Sequence, residues 1–158
     1  MTEPPAHPDG APARADEMKM WLAVRDDVPM SPMKFAVQAM HAAQWLTAIL
    51  ARDAPERLAA YLGADYDLER QPPTGSPKIV VRAKNLHALQ RVLREAREAG
   101  IPALCVTDEG RTEFAGPTTT AVLFGPAFER DLPKYLAGLQ LLRALRSPQA
   151  GPALPSHL

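Results

Sequence analysis

The hydrophobic positions change period several times along the chain, and each change marks an element. Lys19 to Arg25 (KMWLAVR) is an apolar run of strand length with Trp21 and Val24 as strand formers. Asp26-Asp27-Val28-Pro29 is turn chemistry, and Ser31-Pro32 is a helix start, with Ser as N-cap and Pro as first helical residue. From Pro32 to about Arg52 the apolar period becomes helical. Phe35, Ala39, Ala42, Leu46, Ile49 and Leu50 share one side, and Lys34, Gln38, His41 and Trp45 form an adjacent stripe. Residues 54–63 predict a short second helix ending at Gly63, and 64–77 a loop long enough for an insertion or lid.

KIVVRA (78–83) predicts a buried strand. Asn85 is placed to cap a helix through Leu86, Leu89, Val92, Leu93 and Ala96 that ends at Gly100 and exposes Arg91, Arg94 and Arg97. Ala103 to Thr107 predicts a third strand, with Cys105 in the core, and Thr118 to Phe124 a fourth. Leu132, Leu136, Leu139 and Leu142 line one face of a predicted final helix over 128–146, with Pro133 tolerated near its start. This order predicts an α/β three-layer sandwich: a small four-stranded mixed sheet with helices on both faces. Right-handed crossovers make the first three strands parallel, and a short loop makes the fourth antiparallel.

Composition adds boundaries to this pattern. Residues 1–17 hold four of the 17 prolines and few large apolar side chains, and 147–158 are similar; both predict disordered tails around a domain at 18–146. The chain carries 18 basic and 18 acidic residues, which excludes a strongly basic nucleic-acid coat. One Arg and four acids lie in 1–17 and no charged side chain in 147–158, so the domain holds 17 basic and 14 acidic residues, net +3. A single cysteine excludes a disulfide framework and a thiolate zinc cluster. The N-terminal residues lack the apolar run of a secretory signal, and the longest apolar stretch, Phe35 to Ala51, is short and interrupted for a membrane span. A soluble cytoplasmic protein, off the membrane, is expected.

Ligands of open α/β sheets gather at the carboxyl ends of the parallel strands. That edge collects residues 25–34, the turn 108–112 and the start of the antiparallel fourth strand. Lys34, Asp108 and Thr120 are expected to converge there, with Arg25, Gln38, His41, Arg111 and Thr112 nearby. Taken singly, each has an ordinary explanation: a solvated helix lysine, a turn aspartate, a strand threonine, a packed histidine. The phosphate-loop, nucleophile-elbow and zinc-helix motifs are absent.

The combination is more specific. In RDDVPMSPMKFAVQAMHAA (25–43), Arg25, Asp27, Val28, Lys34, Gln38, His41 and Ala42 occupy one spaced motif. In DEGRTEFAGPTTTAVLFGP (108–126), Asp108, Gly110, Arg111, Thr112, Thr120, Gly125 and Pro126 occupy a second. Together these resemble the peptidyl-tRNA hydrolases of the second type, over roughly 19–142. Met33 replaces the motif glycine before the lysine, Glu109 replaces an alanine, and the 53–77 segment is longer than in the family.

The resemblance implies a cytoplasmic, homodimeric hydrolase that cleaves the ester between peptide and tRNA, freeing tRNA for reuse, with no metal or cofactor. It implies that Asp108 orients or deprotonates water, Lys34 meets the oxyanion or the departing ribose oxygen, and Thr120 positions water or the carbonyl. Arg25, Arg111 and Arg91, Arg94 and Arg97 are the expected phosphate contacts. The alternatives are a non-catalytic relative serving as a binding or regulatory module, and an ester or amide hydrolase acting on a small molecule.

Overall fold

The computed structural model describes residues 17–63 and 76–148. The expected tails, apart from Glu17, Ser147 and Pro148, and all but the last two residues of the expected 64–77 loop lie outside the described residues. The elements in chain order are β1 (Lys19–Arg25), α1 (Pro32–Asp53), α2 (Pro55–Leu62), β2 (Lys78–Ala83), α3 (Leu86–Glu98), β3 (Ala103–Asp108), β4 (Thr118–Ala127), a 3-10 turn (Glu129–Asp131) and α4 (Lys134–Ala137).

The sheet order is β2-β1-β4-β3. β1 and β2 are parallel, and β4 runs antiparallel to both β1 and β3. The three strands followed by helices or by the return loop therefore point the same way, as the crossover argument requires. Alternation along β1 explains why both sheet faces are covered. Met20, Leu22 and Val24 join Ala42, Leu46 and Leu50 of α1 and Tyr61 of α2 in one buried cluster. Trp21 and Ala23 join Leu89, Val92 and Ala96 of α3 and Leu136 of α4 in the other. Trp21 stacks on Phe124 with ring centres 5.5 Å apart.

Both expected caps are made. Ser31 Oγ accepts the N–H of Lys34, and Asn85 Oδ1 accepts that of Ala88 at 3.0 Å; each such cap stabilises its helix by about 1 kcal/mol. α1 is turned slightly from its expected orientation: Gln38, Ala42, Leu46 and Leu50 are fully buried, while Phe35, Ala39 and Ile49 are half-buried.

Two expectations are corrected. The long C-terminal helix over 128–146 does not form; only Lys134–Ala137 is α-helical. Pro133 cannot donate into a helix, Gly138 ends the turn, and the chain then runs extended beside β2. There the N–H of Leu142 donates to Val80 O at 3.0 Å and that of Arg82 to Gln140 O at 2.8 Å, with Leu141 opposite Val81. Cys105 is not a core residue but exposed, because β3 is an outermost strand.

Candidate active site

The site is assembled where α1 begins. Ser31 Oγ, while capping Lys34, also donates to Glu113 Oε1, and the Ser31 N–H donates to Glu113 Oε2 at 3.0 Å. This pins the β3–β4 loop to the first turn of α1. Lys34 emerges from that turn with its side chain only 10% exposed. Its Nζ lies 2.6 Å from Asp108 Oδ2, donates to Thr112 Oγ1 at 2.9 Å, and sits 5.3 Å from the centre of the Phe114 ring.

Asp108 ends β3 and is held from three sides. Its Oδ2 accepts from Lys34 and from Gln38 Nε2 at 2.9 Å, and its Oδ1 accepts the N–H of Gly110 at 2.8 Å. Burial alone pushes the carboxyl pKa up. The hydrogen bond and charge of Lys34, the Gly110 N–H and the Gln38 amide outweigh it and hold the group below its ordinary value. Gly110 has φ +78°, and a Cβ there would lie 2.4 Å from the backbone of Gly116, so only glycine fits this turn.

Thr120 is fully buried and does not reach the cleft. Its hydroxyl donates to Gln38 Oε1 at 3.0 Å, with Val106 O at 3.4 Å. That bond orients the buried Gln38 amide so that its nitrogen faces Asp108. Thr120, Gln38, Asp108 and Lys34 thus form one connected chain, in which Thr120 touches Asp108 only through Gln38.

The remaining expected residues fall into distinct settings. Thr112 is in the site, bonded to Lys34. Arg25 is committed to its neighbours: Nε and Nη2 meet Asp27 at 2.9 and 2.8 Å, and Nη1 meets Thr119 O at 3.1 Å. Arg111 is exposed and pairs with Glu109 at 2.5 Å, which offsets the added acid locally. His41 is exposed on α1. Arg91, Arg94 and Arg97 belong to α3, across the sheet from α1 and the Lys34–Asp108 pair. Glu113 stands outside both sequence motifs' candidate residues yet clasps Ser31. Its partner Ser31 is 82 residues away, and nothing in the local pattern distinguishes it from a solvated loop acid.

A groove of about 730 Å³ leads away from the pair between α1 and β3, lined among others by His41, Trp45 and Ile49 on one side and Leu104 and Cys105 on the other. Among the described residues, no group of three or more His, Cys, Asp or Glu side chains is placed to hold a metal ion, and no helix is long and apolar enough to cross a membrane.

Residues 18–142 match the family model described as peptidyl-tRNA hydrolase PTH2. The chain belongs to this family. It is 32% identical over 127 residues to the peptidyl-tRNA hydrolase of Sulfolobus acidocaldarius, covering 79% of this chain and all of the relative. It is 36% identical over 124 residues to that of Aeropyrum pernix, covering 78% of this chain and 94% of the relative. The mitochondrial peptidyl-tRNA hydrolase 2 of Bos taurus is 34% identical over 125 residues, 79% of this chain and 64% of that protein. The family match spans every element from β1 to the extended segment beside β2.

Proposed function

We propose that this member of the PTH2 family hydrolyses the ester joining a peptide to the terminal ribose of tRNA, releasing tRNA for reuse. The observation that carries the reading is the Lys34–Asp108 pair at 2.6 Å, nearly enclosed at the carboxyl edge of the sheet.

An ionised carboxylate held below its ordinary pKa is a weak base, so in the resting site Asp108 orients water rather than deprotonating it. The balance shifts during reaction. As water oxygen bonds to the ester carbon, negative charge develops on the carbonyl oxygen, and the Lys34 ammonium turns to it. Asp108 thereby loses the donor that most lowers its basicity and takes the proton from the attacking water. Collapse of the tetrahedral intermediate breaks the bond to the ribose oxygen, which receives that proton. Thr120 is a positioning residue on this reading, acting through Gln38. Arg111 and Thr112, at the open side of the pair, are the candidates for contact with tRNA.

Two departures from the family motif do not obstruct this. Met33 is 79% exposed and does not line the groove, and Glu109 is paired with Arg111. We also infer action in the cytoplasm as a homodimer, for which Met33, Met40 and Leu141 offer exposed apolar surface.

The test is single-turnover release of peptide from peptidyl-tRNA at saturating enzyme. Asp108→Asn should slow release about 10²–10⁴-fold, the span of general base catalysis, while tRNA binding persists. Undiminished release by the Asn variant would remove Asp108 from the mechanism. No release by the wild-type protein would refute the function.

A further inference from the structure

The two outer edges of the sheet are finished differently. That of β2 is covered by residues 140–142 of the chain itself. On that of β3 no strand is seated among the described residues. Pro102 O accepts the N–H of Gly125 at 2.9 Å, and Leu104 and Val106 continue that register opposite Leu123 and Ala121. Because hydrogen-bonded pairs alternate along an antiparallel ladder, Cys105 between them turns its N–H and C=O outward. This open edge is one wall of the groove, and α1 is the other.

The groove has a direction. At one end stand Lys34, Asp108, Glu109, Arg111 and Thr112; further along lie His41 and then Trp45, Ile49 and Leu104. Both cations of the lining, Lys34 and Arg111, are at the first end, which is where a polynucleotide's phosphates would be drawn; past the other end, Arg97 of α3 donates to Ala103 O at 3.5 Å. The other end offers apolar surface, including a Trp45 that is 60% exposed, beside the outward N–H and C=O of Cys105. Leu104 to Asp108 span about 13 Å, the length of roughly four extended residues. Main-chain pairing at a sheet edge with alternate side chains entering a pocket is a general way to hold an extended peptide.

We propose that this groove receives the peptidyl part of the substrate, laid as an extended segment along β3. Its esterified residue stands at Lys34–Asp108, and an apolar side chain upstream packs on Trp45 and Ile49. The inference rests on the peptidyl-tRNA reading and extends it: the two halves of the substrate leave the scissile bond in opposite directions.

The experiment compares two substrates on the same tRNA, one carrying N-acetyl-leucine and one an N-acetylated tetrapeptide of apolar residues ending in leucine. The wild-type protein should show a KM about tenfold lower for the tetrapeptide, and Trp45→Ala should remove most of that difference; tenfold corresponds to about 1.4 kcal/mol. N-methylation of the peptide amide facing Cys105 should likewise raise KM, with the wild-type fold untouched. Equal KM values for the two substrates, with release of both, would overturn the groove assignment and leave the function standing. Release of neither would instead sink the function. If Trp45→Ala converts a dimer to a monomer in sedimentation and lowers both substrates equally, the groove is an interface between copies and the proposal is wrong.

Discussion

Thr120 gives the sharpest test of how the site is built, because it is fully buried yet linked through Gln38 to the Lys34–Asp108 pair. Thr120→Val nearly preserves volume and deletes the hydroxyl. Gln38 Oε1, on a residue only 1% exposed, then loses its donor at 3.0 Å in a place water does not reach. Leaving a buried acceptor unmade costs about 1–3 kcal/mol. At about 3 °C per kcal/mol for a chain of this size, the melting temperature should fall by roughly 3–9 °C. The freed amide also holds Asp108 less well, and losing about 1 kcal/mol of placement lowers kcat about fivefold. KM should change little, since Thr120 does not line the groove. Thr120→Ser keeps the hydroxyl and leaves a methyl-sized gap costing about 1 kcal/mol. The Ser variant should therefore melt low yet turn over within about twofold of wild type, a factor worth under half a kcal/mol. Melting curves and steady-state release for the three proteins decide the matter. Wild-type kcat in the Val variant would refute the relay through Gln38, and a raised KM with unchanged kcat would show that the hydroxyl meets substrate directly.

Gly110→Ala should lower both melting temperature and release, because its φ of +78° and a Cβ 2.4 Å from Gly116 cost about 1–3 kcal/mol or displace the turn holding Asp108; wild-type behaviour in both assays would show that the turn is not so constrained. The folded pKa values of Asp108 and Glu113 lie below their ordinary 3.8 and 4.5, so their stabilisation is fully present above those values and lost as pH falls through the depressed ones. Thermal melts from pH 7 to 3 should fall at the acid end, and more steeply in the wild type than in Asp108→Asn; parallel curves would show that Asp108 is not the source.

Much of this fold is local and was therefore legible. β1, α1, β2 and α3 carry their own punctuation in Ser31-Pro32, Asn85 and Gly100, and each has the period its sequence predicts, α1 with its buried stripe shifted to include Gln38. The misreadings are both matters of sheet edge. Leu132, Leu136, Leu139 and Leu142 recur at helical spacing, but the open side of β2 offered hydrogen-bond partners to 140–142 that outweighed the local preference. Cys105 reads as core because its neighbours Leu104 and Val106 are apolar; strand order, which no local pattern encodes, left it at the rim. Of the site, the convergence of Lys34 and Asp108 follows from strand direction, whereas the turning inward of Gln38 and Thr120, and the Glu113 clasp on Ser31, depend on how α1 rotates against the sheet.

The unequal edges also set a valence. Sheets that pair edge to edge propagate only when each copy has two free sides to offer. Here the chain spends its own residues 140–142 on β2, leaving β3 as the one uncovered edge among the described strands. A copy that joins another through β3 has no second uncovered edge among its described strands to hand on, so pairing through these strands ends at two partners.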